Sequence, residues 1–218
     1  IITADIADDA VTLAKMAGGT DGQVITYDAS GDPVAVGPGT DGQVLTSTGA
    51  GSPPAFEAAA AGGFTLGTQQ ATTSGTTFNF GSIPTGTKLI IINFNGVSLS
   101  GTDSIGVRIG DAGGIETSGY VATSARLDDD DSILYGNQTT SFPLKLSFAS
   151  AIVNTQMILT LIDSTNHDWV SSHTGASASN EGHIGGGTKS LSGELTQLQI
   201  LDTGSDSFDA GSINISYQ

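Results

Sequence analysis

Lys88-Leu89-Ile90-Ile91-Ile92-Asn93-Phe94-Asn95 reads as a β-strand before anything around it is considered. β-Branched and aromatic residues dominate it, and these favour a pleated chain. Its unbroken apolar centre predicts a strand covered on both faces. Outward from it, residues 104–110 set Ile105, Val107 and Ile109 against Ser104, Gly106 and Arg108. Residues 142–148 place Phe142, Leu144, Leu146 and Phe148 on one side. Further strand candidates lie at 76–80, 120–127, 156–163, 189–191, 195–201 and 212–217, with turn residues between them. No helical period is visible after residue 63. About nine short strands at this spacing predict a β-sandwich, jelly roll or barrel over 63–218.

The chain before residue 63 has a different pattern. Gly19-Thr20-Asp21-Gly22-Gln23-Val24-Ile25-Thr26 returns 20 residues later as Gly39-Thr40-Asp41-Gly42-Gln43-Val44-Leu45-Thr46. Each copy predicts a hairpin, with Val34-Ala35-Val36 or Ala55-Phe56 as the return strand. Such a unit buries almost nothing alone, so residues 18–62 read as a repeated β-hairpin shaft that gains its core from neighbours. In residues 1–17, Ile2, Ile6, Ala10, Leu13 and Ala17 form a narrow apolar stripe at helical spacing, with Thr3 as cap and Asp5 in the first turn. A short isolated helix is marginal in water. Ile2, Ile6 and Leu13 are therefore read as the seam of a self-associating bundle, the alternative being a helix packed on its own domain. The fold class that results is mostly β: a short N-terminal helix, a hairpin-repeat stalk, then a β-sandwich or jelly-roll-like domain.

Composition narrows the function. The 218 residues carry a net charge of −16 with six Lys and Arg, so phosphate binding and anionic membrane surfaces are disfavoured. There is no cysteine, which excludes thiol catalysis and Cys-based zinc sites. No segment has the roughly 18 apolar residues of a membrane span. The sequence opens on Ile1 rather than Met, and the expectation is that it is the C-terminal part of a longer polypeptide.

A family likeness adds to this reading. Residues 83–88 (IPTGTK) with 90–98 (IIINFNGVS), residues 109–120 (IGDAGGIETSGY) and residues 206–217 (DSFDAGSINISY) resemble a C-terminal domain of tail fibre proteins of tailed bacteriophages and prophages. The GTDGQVLT repeat and ADIADDAVT (residues 4–12) resemble fibre shafts. The likeness covers nearly the whole chain, and its motifs mark fold better than ligand. It implies a virion protein: a non-enzymatic homotrimer that joins other virion proteins through an N-terminal part and attaches to a bacterial surface glycan or protein. The alternatives are a head fibre or capsid decoration protein without a specific receptor, and a glycan-cleaving fibre tip.

Candidate contact residues come from two stretches. Trp169, the only tryptophan, sits in the polar stretch 164–187 beside His167 and Asp168. Read as a long loop, that stretch offers an indole for sugar stacking with hydroxyl-bonding neighbours, the alternative being a core or edge-packing tryptophan. Tyr135 and Asn137 form a second, weaker candidate. The histidines His167, His173 and His183 read as surface-loop residues, since their spacing with Glu181 fits no standard metal site. Asp128 to Asp131 reads as a solvated acidic loop; calcium at Asp128 and Asp130 is the alternative, and no other cofactor is expected. Residues 110–114 and Gly185-Gly186-Gly187 read as turns. No nucleophile elbow is present, and no catalytic residue is assigned.

Overall fold

The computed structural model describes residues 18–59, 62–127, 133–144, 146, 151–177 and 181–218. The expected helix over residues 1–17, with Ile2, Ile6 and Leu13, and the acidic run containing Asp128 and Asp130 lie outside the described residues. Every regular element among those described is a strand, so the chain is mostly β. None of the described elements is a helix long and apolar enough to cross a membrane. The chain divides at Gly62/Gly63 into two compact units.

In the first unit each copy of the repeat folds as an antiparallel hairpin. β1 (Val24–Tyr27) pairs with β2 (Pro33–Val36), and β3 (Gln43–Thr46) with β4 (Ala55–Ala58). The repeated GTDGQ motif has one local structure in both. The Gln side-chain oxygen accepts the Thr N–H three residues back at 2.7 Å (Gln23 to Thr20, Gln43 to Thr40). Its own N–H donates to that threonine's carbonyl at 3.1 Å. This closure needs a left-handed residue, which Gly22 (φ 78°) and Gly42 (φ 84°) supply. Little is buried, however: Ile25 is 60% exposed, Tyr27 65%, Val44 48% and Leu45 45%.

The second unit holds two antiparallel sheets. Its strands are β5 (Thr65–Leu66), β6 (Gln70–Ala71), β7 (Thr77–Phe80), β8 (Leu89–Leu99), β9 (Ile105–Asp111), β10 (Gly114–Ile115), β11 (Val121–Leu127), β12 (Ile133–Gln138), β13 (Phe142–Leu144), β14 (Val153–Asp163), β15 (Asp168–Ser177), β16 (Gly182–Ser190), β17 (Gln197–Asp202) and β18 (Phe208–Tyr217). The larger sheet runs β12-β11-β16-β15-β14-β8-β18-β5, with β6 also on β18. The smaller runs β10-β9-β17-β7, with β13 on β9. One core joins them: Ile90, Ile92, Phe94, Met157, Leu159 and Ile213 from the larger sheet, Val107, Ile109, Phe142, Leu198 and Ile200 from the smaller.

Two of the chain's crossings between the sheets lie side by side. β8 pairs with β18 in one sheet, while their continuations β9 and β17 pair in the other. Gly96 and Gly211 face each other across β8 and β18, where the register shifts. A Cβ on Gly211 would stand 2.4 Å from the Gly96 carbonyl group. Both have positive φ, so only glycine fits this bulge without strain.

The strand that decided the fold is covered less evenly than its sequence predicts. Ile90 and Ile92 are fully buried, but Leu89 and Ile91 on the outer face are only half-buried. A larger correction concerns residues 164–187, which are not one long loop. Only a short turn separates β14 from β15, and residues 182–190 form β16. The period-two pattern is present, but its inward positions are Trp169, Ser171, His173 and Ser177, so hydropathy does not show it. Gly185-Gly186-Gly187 lies mid-strand in β16 rather than in a turn. Cβ atoms there would approach Thr123 and Val121 oxygens on one side and the Ser171 oxygen on the other at 2.5–2.6 Å.

Candidate recognition site

The glycine run shapes the open end of the larger sheet. Pairing registers place Thr123 of β11 between Gly186 of β16 and Asn137 of β12. Gly186 presents no side chain to the outer surface, so the surface dips there. The result is an open groove of about 560 Å³, lined among others by Val121, Thr123, Asn137, Gln138 and Thr139. Val121 is 74% exposed, an aliphatic side chain beside amides and hydroxyls. Tyr120 borders the groove from within. Its hydroxyl accepts the Ile109 N–H at 2.9 Å and donates to the Glu116 carbonyl at 3.0 Å, and its ring stands edge-on to Phe142. Burial pushes its phenol well above the usual range, so it stays protonated. Among the described residues no carboxylate or imidazole lines the groove.

The outer face beyond the groove continues this chemistry. Cross-strand partners form the row Ser216, Ile91, Ile158, Ser172, Gly186, Thr123, Asn137, and a second row Asn214, Asn93, Gln156, Thr174, Ile184, Ala125. Gln156 donates to Asn93 at 2.9 Å within the second row. Neither row contains a charged residue, on a chain whose net charge is −16.

The candidates of the 164–187 stretch separate. Trp169 is 1% exposed and belongs to the core, so it presents no ring face to a sugar; the glycan-platform reading of this residue is corrected. Asp168, half-buried, accepts a hydrogen bond from Ser190 Oγ. His167 adopts a left-handed conformation (φ 52°) at the end of a turn in which Asp163 accepts the Thr165 N–H at 2.7 Å. His167 and Trp169 border a pocket of only about 70 Å³. Asn137 is exposed on β12, separated from β15 by the two strands β11 and β16, and belongs to the groove. Tyr135 occupies β12 at the register position of Ala125.

No family model, curated protein or solved structure matches the chain.

The inward face under β11, β15 and β16 is polar, which the sequence reading missed. His173 and His183 are 3% and 2% exposed rather than surface-loop residues. His173 Nε2 lies 3.1 Å from Ser124 Oγ, and burial together with His183 lowers its pKa to about 4. Arg126 donates to Glu181 at 2.8 Å, and Ser177 Oγ donates to the other Glu181 oxygen at 3.0 Å. Glu181 is thus held in a buried ion pair with Arg126. The signal in the sequence was alternation: Ala122, Ser124 and Arg126 occupy inward positions of one strand, His183 and Lys189 of the next.

Proposed function

We propose that this chain is a segment of a bacteriophage fibre, assembled as a homotrimer, whose larger unit attaches the virion to a bacterial surface. The observation that carries this reading is the unburied apolar surface of the repeated hairpins. Ile25, Tyr27, Val44 and Leu45 are 45–65% exposed on the two hairpins, and no described residue of the first unit belongs to the buried core. Packing of identical copies around an axis buries those side chains and uses the repeat, which an unassembled linker would not need.

The larger unit is read as a jelly-roll-like sandwich, because the β8–β9 ribbon pairs with the β17–β18 ribbon across both sheets. The order departs from a simple jelly roll in that β8, not β18, adjoins the β14–β16 meander. The groove beside Asn137 is proposed as the receptor contact. Amide and hydroxyl groups around an exposed aliphatic side chain suit an uncharged glycan, and three copies multiply a weak contact. The described lining of amides, hydroxyls and apolar groups suits binding of such a ligand.

On an array of bacterial surface glycans, the chain is expected to bind a neutral-sugar subset. Val121→Asp should weaken that binding about tenfold, a loss of about 1.4 kcal/mol. Its thermal midpoint should hold, since Val121 is already exposed. Undiminished binding by the folded variant would remove the groove as the contact.

A further inference from the structure

The loops that carry the chain between the two sheets meet over three carboxylates. Asp103 lies between β8 and β9, Asp202 ends β17, and Asp206 lies between β17 and β18. One oxygen from each falls within 4.8 Å of the others. Atoms sharing one calcium ion stand at most roughly 4.6–5.2 Å apart, twice the Ca–O distance. Neither of the ion pairs Arg126–Glu181 and Lys189–Glu116 reaches this trio.

Each carboxylate is held by one oxygen. Asp103 Oδ2 accepts the N–H groups of Ser205 (2.6 Å) and Asp206 (3.1 Å). Asp206 Oδ2 accepts the Asp103 N–H (2.9 Å), and Asp202 Oδ2 accepts the Gly204 N–H (3.1 Å). The decisive group is the other oxygen of Asp202. Asp202 is 7% exposed, and its Oδ1 is closed off from solvent without a hydrogen-bond partner among the described residues. A buried carboxylate oxygen with no donor among the described residues, beside two further carboxylates, is strongly unfavourable unless a cation or a proton neutralises it; burial and the Asp103 and Asp206 charges raise the Asp202 pKa for that reason. Two glycines keep the space open. A Cβ on Gly101 would stand 2.2 Å from the Asp206 carboxylate, and one on Gly204 2.1 Å from that of Asp103.

We propose that Asp103, Asp202 and Asp206 bind one calcium ion that ties the β8–β9 loop to the β17–β18 loop. Oxygen-only donors with three formal negative charges select a hard dication. Water and main-chain carbonyl groups complete its coordination. The ion fastens the corner at which both ribbons change sheet, so it binds the folded chain and not the unfolded one. The site is independent of the receptor groove and of the fibre reading.

The test is calcium titration calorimetry of the full chain after chelator treatment, with thermal unfolding in parallel. The expected result is saturable uptake of one ion at this site. At calcium about 100-fold above Kd, the midpoint should rise by roughly 5–10 °C. Asp202→Asn should abolish that shift. Asp206→Asn, at a half-buried position, should do the same and serves if the first variant does not fold. Asp128→Asn with Asp130→Asn should leave the shift intact, separating this site from the acidic run. Absence of uptake by the wild-type chain at roughly 10 mM calcium overturns the proposal. So does a full shift retained in the Asp202 or Asp206 variant.

Discussion

Trp169→Ala is expected to lower the unfolding free energy by about 3–5 kcal/mol, the usual range for truncating a buried aromatic side chain. The residue is 1% exposed and is the largest of the fully buried side chains. Its Nε1 has no hydrogen-bond partner among the described residues, so the loss comes from packing and from the cavity left behind. Trp169→Phe keeps most of the volume and should recover much of the loss. Urea denaturation followed by far-ultraviolet circular dichroism measures both variants, since the tryptophan fluorescence probe is itself removed. A platform residue would behave in the opposite way, leaving stability unchanged and abolishing glycan binding. Stability within about 0.5 kcal/mol of wild type would contradict the core assignment.

The second large effect is on pH. His173 is held neutral by burial and by His183, its pKa lowered from 6.5 to about 4. Above pH 6.5 the residue is neutral in both folded and unfolded chains and contributes no pH dependence. As pH falls below 6.5, the unfolded chain binds a proton that the folded chain refuses until about pH 4. Stability therefore declines across that window, by about 3 kcal/mol in all, and this contribution is flat below it. His173→Gln removes the titrating group. The difference in unfolding free energy between the variant and wild type, followed from pH 7.5 to 4, isolates this contribution from that of the carboxylates. A difference that does not change with pH would show that His173 titrates normally.

The parts of the fold legible in the sequence are those where hydropathy and geometry coincide. Ile105, Val107 and Ile109, or Phe142, Leu144 and Leu146, alternate and are buried, so their strands announce themselves. The GTDGQ repeat shows its turn because the left-handed glycine and the bonded glutamine are local. β15 and β16 were hidden because their inward positions carry serine, histidine and lysine, buried together with Arg126 and Glu181. A hydropathy pattern cannot mark a strand whose buried side is polar, and a run of glycines reads as a turn until its close neighbours are known. The groove was legible only through Asn137, since its floor depends on Gly186 pairing with Thr123. The acidic trio joins positions about a hundred residues apart. Its one local trace is Asp202-Thr203-Gly204-Ser205-Asp206, two acids about a glycine in a turn.

The assembly of identical copies is the central claim, and molecular mass tests it most directly. Sedimentation equilibrium of the full chain at micromolar concentration should give three times the 21.8 kDa of one chain. The exposed Ile25, Tyr27, Val44 and Leu45 then lie between copies. A single species of 21.8 kDa across the same concentrations would contradict the account: those side chains would face water, and the repeated hairpins would not be a fibre shaft.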